Sequence, residues 1–278
     1  MLHPLHDKVV AVYGGTSGIG KELTSKFTSL GACVIFLGTN KEKGCALQDC
    51  INKQAGSTRA VFHMCDVTDW SLQEALYDVA AKQFGKTVDI VIIVAGILES
   101  SDLLNDAEQD GSYRTLEVNL AAAAKATRTA VQHFIKNDKP GLVIHTSSIY
   151  GFCGAPLAPL YAASKHGILG LAKSYGTLFR STNIRVNAVA PHFVDTPMVS
   201  GPSKDVATAL GMVPMSRCVS AYMHVIEDET LNGDVITVTA QGMRIEPRYS
   251  DPIYEKLDEL CSHRKAFILD EIKRRFHV

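Results

Sequence analysis

Tyr161 and Lys165 stand four residues apart in the run Tyr161-Ala162-Ala163-Ser164-Lys165, and on a helix that spacing puts a phenol and an ammonium one turn apart on the same face. A phenol with an ordinary pKa of about 10 is a poor base near neutral pH. An adjacent ammonium favours the phenolate and lowers that value, so the pair predicts acid/base chemistry with Tyr161 moving the proton and Lys165 tuning it. Upstream, a strand-like run over 142–146 ends in Ser147-Ser148. A Ser148 hydroxyl at that end can donate to a substrate oxygen and stabilise charge that develops on it. The run Glu117-Val118-Asn119-Leu120 sets an amide in the middle of a long helical pattern, where Asn is a poor helix former. Plainer readings stand beside these, a strand-end turn for Ser148 and an exposed helical position for Asn119.

A second constellation lies near the start. Directly after the first strand-like run comes Gly14-Gly15-Thr16-Ser17-Gly18-Ile19-Gly20, opening a helix. A dinucleotide pyrophosphate needs a tight turn, a backbone that approaches it without Cβ atoms, and free N–H groups at a helix N-terminus, and this segment offers all three. The choice of dinucleotide falls on the end of the second strand, Gly38-Thr39-Asn40-Lys41, where an acid would hold the adenosine ribose and repel a 2′-phosphate. No acid is present, Thr39 and Asn40 can donate, and Lys41 adds positive charge, so NADP(H) is favoured with NAD(H) possible. After the third strand, Asp66-Val67 can receive the adenine amino group, or Asp66 can be a helix N-terminal acid before Trp70.

The elements that must position these groups follow from periodicity. Apolar, β-branched runs at 9–13, 34–37, 60–64, 89–94, 142–146, 185–189 and 235–239 alternate with helical patterns at 18–30, 41–53, 71–84, 113–136, 161–180 and 220–229. Runs apolar at nearly every position suit strands buried on both faces. The expectation is therefore an α/β fold: a single doubly wound domain over 1–245, with a seven-stranded parallel sheet and helices on both faces. A more charged tail over 246–278 reads as one or two amphipathic helices outside the sheet.

Bulk composition narrows the function classes. The chain has 278 residues, 46% hydrophobic and 21% charged, with a formal net charge of -1. That balance lacks the basic excess of a nucleic-acid binder. No apolar run reaches the roughly 18 residues of a membrane span, so no membrane partner is expected. The start of the chain lacks a secretory pattern, and seven cysteines without a CxxC pair read as reduced thiols, most of them in the core. A cytoplasmic protein without a metal site is the expectation.

Taken together, the glycine-rich turn, Asp66, Asn119, Ser148, Tyr161 and Lys165, followed by Asn183-Ile184-Arg185-Val186-Asn187-Ala188-Val189-Ala190-Pro191, resemble the short-chain dehydrogenase/reductase family from about residue 8 to residue 242. The resemblance implies a Rossmann-type fold and an oxidoreductase that moves a hydride between a nicotinamide cofactor and a secondary alcohol or ketone. It implies cofactor contacts at Ala95, Gly96, Pro191, Val194 and Thr196, and a water held by Asn119 that relays protons through Lys165 to Tyr161. It also implies a homodimer or homotetramer through the helices that contain 121–134 and 161–179. The chain departs from the family pattern at Ile93-Val94, where Asn-Asn is usual, and at His192, where Gly is usual. His192 either touches the substrate or walls the cavity, while His166 faces packing or solvent. The run Leu231 to Val238 resembles the branch of hydroxyprostaglandin dehydrogenases and suggests a bulky apolar metabolite such as a lipid, terpenoid or polyketide. A mobile substrate lid is expected over about 198–215, including Gly201 and Pro202, with Val206, Leu210 and Val213 at apolar spacing. Two other functions compete: non-redox chemistry (isomerase, dehydratase or cyclase) on the same fold, and a catalytically silent protein that senses a dinucleotide.

Overall fold

The computed structural model describes residues 3–99, 113–200 and 202–277. Strand β1 (Val9–Tyr13) is buried at every position. It leads into helix α1 (Gly18–Ser29), and strand β2 (Cys33–Gly38) and helix α2 (Lys41–Ala55) repeat the unit. Strand β3 (Ala60–Met64), helix α3 (Trp70–Phe84) and strand β4 (Ile90–Ile93) follow. Local chemistry sets the helix limits. Asn40 caps α2 by accepting from Lys43 N at 2.9 Å, and Asp69 caps α3 by accepting from Ser71 N at 3.0 Å. Gly56 and Gly85 end these helices with φ of 64° each, a left-handed conformation that costs glycine little.

The second half begins with a short helix α4 (Arg114–Leu116), a π turn (Glu117–Ala121) and helix α5 (Ala122–Lys136). The long helix expected over 113–136 is thus interrupted at the turn that carries Asn119. Strand β5 (Gly141–Thr146), helix α6 (Pro159–Gly176), helix α7 (Phe179–Thr182), strand β6 (Ile184–Pro191), helix α8 (Pro202–Leu210), helix α9 (Met215–Glu227) and strand β7 (Val235–Val238) complete the alternation.

The sheet order is β3-β2-β1-β4-β5-β6-β7-β8. Seven strands run parallel as expected, and the eighth corrects the strand count. β8 (Met243–Ile245) returns antiparallel beside β7, with Ile245 opposite Ile236. A tight turn makes this possible, with Thr239 N donating to Gly242 O at 2.8 Å and Gly242 N to Thr239 Oγ1 at 3.1 Å. Strand order reverses between β1 and β4, the place where open sheets of this kind receive ligands outside their carboxyl ends.

Each sheet face carries its own core. α1, α2 and α9 cover one through Leu23, Phe27, Leu47, Ile51, Tyr222 and Val225. α3, α5 and α6 cover the other through Leu76, Ala126, Val131, Phe134 and Ile168. Burying each such side chain contributes roughly 1.5–3 kcal/mol, which fixes the strand ends that build the site. Val213 pairs with Val194 and is 1% exposed, so it packs into the core; Gly201 lies outside the described residues.

Beyond the sheet, Arg248 grips Asp234 through two bonds of 2.8 and 2.6 Å. Helices α10 (Pro252–His263) and α11 (Lys265–Phe276) follow. α11 returns to the body, with Ile272 buried and Gln132 Nε2 donating to Phe276 O at 2.9 Å. The cysteines are more exposed than expected: Cys33, Cys65 and Cys218 are buried, whereas Cys50 and Cys153 are exposed. Among the described residues no helix is long and apolar enough to cross a membrane, and no cluster of His, Cys, Asp and Glu could hold a metal ion.

Candidate active site

A cavity of about 910 Å³ opens at the carboxyl ends of the central strands. The sequence-predicted residues Gly14, Thr16, Ser17, Gly18, Ile19, Gly38, Thr39, Asp66, Val67, Ala95, Gly96, Ser148, Tyr161, Lys165, Pro191, Val194 and Thr196 all line it. Three others, Gly20, Asn40 and Asn119, do not line it. Gly20 serves packing, since a Cβ there would lie 2.2 Å from Gly14 O. Asn40 spends its side-chain oxygen on the α2 cap. Asn119 works through its neighbours, as described below.

At one end, the turn after β1 meets α1. Gly14 has φ of 81°, and a Cβ on it would come within 2.7 Å of Ala95 N, so only glycine lets β1 and β4 converge there. Ser17 stands at the α1 N-cap position without making a side-chain cap, and the first turn holds no acid. Free N–H groups on the positive end of a helix dipole suit a pyrophosphate, so this end of the chain fits a dinucleotide. The Asp66 carboxylate, by contrast, is already engaged. It accepts from Thr68 N at 3.0 Å and Thr68 Oγ1 at 2.8 Å, and Arg114 Nη2 donates to it at 2.7 Å. The Thr68 backbone bond is the largest cause holding that carboxyl below its usual range, with the Thr68 hydroxyl and Arg114 adding to it. Asp69, three residues on, takes the helix-capping role. Any adenine amino group must therefore share Asp66 with Arg114, a cavity-lining residue that sequence patterns did not single out.

At the other end, α6 carries Tyr161 and Lys165 on one face, 7% and 4% exposed. Lys165 Nζ lies 5.5 Å from the Tyr161 ring centroid and donates to Thr146 O at 2.9 Å. Burial pulls the Lys165 ammonium down to about 8. Burial also pushes the Tyr161 phenol above its ordinary value, with the Ser148 hydroxyl acting in the opposite sense. This corrects the sequence expectation. Desolvation outweighs the Ser148 bond, so the phenol lies above its ordinary value instead of below it. Ser148 Oγ accepts from Tyr150 N at 3.3 Å.

Asn119 joins these parts from within the π turn. Its Oδ1 accepts from Ile97 N at 2.8 Å, and its Nδ2 donates to Ile97 O at 2.9 Å and to Ser164 Oγ at 3.2 Å. Ser164 Oγ donates in turn to Tyr161 O at 2.6 Å. The amide thus staples the segment after β4 to the helix of Tyr161. A Cβ on Gly96 would sit 3.2 Å from Asn119 Oδ1 and 3.5 Å from Lys165 Nζ, which places the staple against the cavity. Where Asn is usual in the resembling family, Ile93 is buried opposite His145. The His145 ring contacts Thr127 Oγ1 at 3.0 Å, and burial depresses it to about 3.

The outer cavity is apolar. Tyr150 packs edge-on against both Tyr161 and Phe193, at centroid distances of 6.2 and 6.1 Å. Ile149, Leu157, Met198 and Val206 extend this wall. His192 lines it as well, its ring lowered in pKa by burial. His166 is exposed and turns to Ala162 O at 2.9 Å.

Comparison with known proteins gives the arrangement a context. The family model described as short chain dehydrogenase matches residues 8–207. A 3beta-hydroxysteroid dehydrogenase of Mediterraneibacter gnavus is 27% identical over 91% of this chain and 89% of its own length. The 15-hydroxyprostaglandin dehydrogenase [NAD(+)] of Bos taurus is 28% identical over 91% of this chain and 99% of its own. Among solved structures, a variant of the actinorhodin polyketide ketoreductase with NADPH superposes with a TM-score of 0.73 at 23% identity, covering 84% of this chain and 96% of that one.

Proposed function

Because the chain belongs to the short chain dehydrogenase family, whose members among its relatives are dehydrogenases acting on alcohol or ketone groups, we propose that it interconverts a bulky apolar secondary alcohol and its ketone with Tyr161 as the acid/base. The supporting observation is the placement of Ser148, Tyr161 and Lys165 on one wall of a cavity whose far end is the uncapped start of α1. A bound nicotinamide supplies or accepts the hydride. Tyr161 gives its phenolic proton to the substrate oxygen in reduction and takes it back in oxidation. Ser148 donates to the same oxygen and stabilises the charge gathering there. Lys165 Nζ, bonded to Thr146 O, keeps further N–H donors for cofactor ribose hydroxyls. Asn119 holds a relay water through its backbone, since its side chain is committed to Ile97 and Ser164.

Thr39, lining the cavity where an acid would repel a 2′-phosphate, supports NADP(H) over NAD(H). The wall of Ile149, Tyr150, Leu157, Phe193 and Met198 supports an apolar substrate such as a lipid, terpenoid or polyketide. Met198, Val199 and Val206 line the cavity from the segment before and within α8, as a substrate lid requires. The apolar groove formed by Leu116, Leu120, Ala121, Ala124, Gly167 and Leu171 is the face we assign to a second copy, in a homodimer or homotetramer. Seven unpaired cysteines are in keeping with a cytoplasmic setting.

The test is the near-ultraviolet absorbance of the reduced nicotinamide ring, followed while purified protein meets a panel of apolar ketones with NADPH or NADH. Consumption with at least one ketone, faster with NADPH and abolished in Tyr161→Phe, is the expected result. Tight cofactor binding without consumption across the panel would point to the dinucleotide-sensing reading instead.

A further inference from the structure

Helix α6 starts at Pro159 behind Ala158, a residue with no side chain to cap it. The cap comes from far upstream. Glu99, just beyond β4, uses Oε2 to accept from Leu160 N at 2.8 Å and from Tyr161 N at 3.3 Å. Its other oxygen, Oε1, is buried and has no partner among the described residues, and Glu99 lines the cavity. Two N–H donors at the positive end of a long helix favour a carboxylate there. Glu99 therefore fixes a negative charge on the wall a substrate must touch.

The other charges of the cavity leave that one unmatched. Among the described lining residues, the Lys and Arg side chains are those of Arg114 and Lys165. Arg114 is paired with Asp66 at 2.7 Å, and Lys165 donates to Thr146 O. The chain neighbours of Glu99 on the wall, Ile97 and Leu98, are apolar, as are Pro156 and Leu157 just ahead of α6. A substrate carboxylate or phosphate entering beside Glu99 would meet a like charge with no unpaired Lys or Arg among the described lining residues to offset it. A hydroxyl at the same place carries no charge and meets no such repulsion.

We propose that Glu99 is a specificity-determining residue that favours uncharged substrates and turns away those that bring a carboxylate or phosphate beside the start of α6. This rests on the alcohol and ketone reading of the cavity given above. The experiment uses the NADPH-loaded protein and two cyclic ketones of one apolar skeleton, bearing either a hydroxyl or a carboxylate at the same remote position. With wild type, the KM for the acid should exceed that for the hydroxy ketone at least about tenfold, while the two kcat values differ much less. Glu99→Gln keeps an oxygen for Leu160 N and Tyr161 N but removes the charge, and should shrink the KM ratio at least about fivefold. Glu99→Asp keeps the charge and shortens the reach, and should preserve the ratio even as turnover falls with the loss of the cap. Equal KM values in wild type, or the same ratio in wild type and Glu99→Gln, would overturn the proposal. Equilibrium binding of both compounds to the same proteins reads that ratio without turnover. Selective binding that depends on Glu99 but is accompanied by no reduction would leave the charge selection standing and remove the oxidoreductase reading.

Discussion

Replacing Lys165 by Met should abolish a pH dependence of stability that the wild-type chain carries. Lys165 is 4% exposed and its ammonium donates to Thr146 O, yet burial still lowers it from the ordinary 10.5 to about 8. A base with a depressed value in the folded state is protonated more readily in the unfolded chain. Stability is therefore reduced below about pH 8, and the loss is recovered as pH rises from there towards the unfolded value. The gap costs about 3 kcal/mol near pH 7 and about 1 kcal/mol near pH 9.5, so wild type should gain about 2 kcal/mol relative to Lys165→Met between those conditions. Urea unfolding of the two cofactor-free proteins at both values measures the difference. The buried tyrosines remote from Lys165, such as Tyr13 and Tyr77, are carried by both proteins and their contribution cancels, while burial holds Tyr161 above its ordinary value. The Thr146 carbonyl left bare in the variant offsets the two curves by a constant amount. Curves that run parallel from neutral to alkaline pH would refute the reasoning, because they would mean that the ammonium is solvated in the folded protein.

Other expectations follow from single contacts. Ser148→Ala should lower kcat roughly a hundredfold through loss of the donor to the substrate oxygen, and a kcat within twofold of wild type would remove Ser148 from the mechanism. Gly20→Ala places a Cβ 2.2 Å from Gly14 O and should destabilise the protein by about 1–3 kcal/mol, read as a lower urea midpoint; an unchanged midpoint would show that the turn has room to move. Thr39→Asp brings a carboxylate to the expected 2′-phosphate position and should shift the NADP(H)/NAD(H) preference towards NAD(H) by at least about tenfold. An unchanged ratio in steady-state kinetics would place the 2′-phosphate elsewhere.

Much of this arrangement was legible because parallel strands buried on both faces print continuous apolar runs. β1 and β3 fall where the periodicity places them, and the turn from Gly14 to Gly20 marks the first helix start. Helical spacing alone brings Tyr161 and Lys165 to one face of α6. What escaped depends on tertiary neighbours. β8 has exposed residues throughout and prints no burial pattern; a hydrogen-bonded turn and an open sheet edge make it a strand. Asn119 is a weak helix former by type, but its bonds to Ile97 and Ser164 from within a π turn depend on neighbours distant in sequence. The Glu99 cap spans 61 residues to Leu160, and its only local trace is Ala158 standing where a capping side chain belongs. The Tyr161 phenol moved opposite to expectation because burial, which spacing does not reveal, outweighs the Ser148 hydroxyl beside it.

In the proposed reaction Tyr161 completes the transfer of hydrogen to a ketone held beside the nicotinamide. The most direct measurement is the isotopic composition of the alcohol formed from an apolar ketone with NADPH carrying deuterium at both C4 positions of the nicotinamide ring. Wild type should deliver deuterium to the carbinol carbon, and Tyr161→Phe should form almost no labelled alcohol. An unlabelled alcohol from wild type, or labelled alcohol formed by Tyr161→Phe at the wild-type rate, would contradict it.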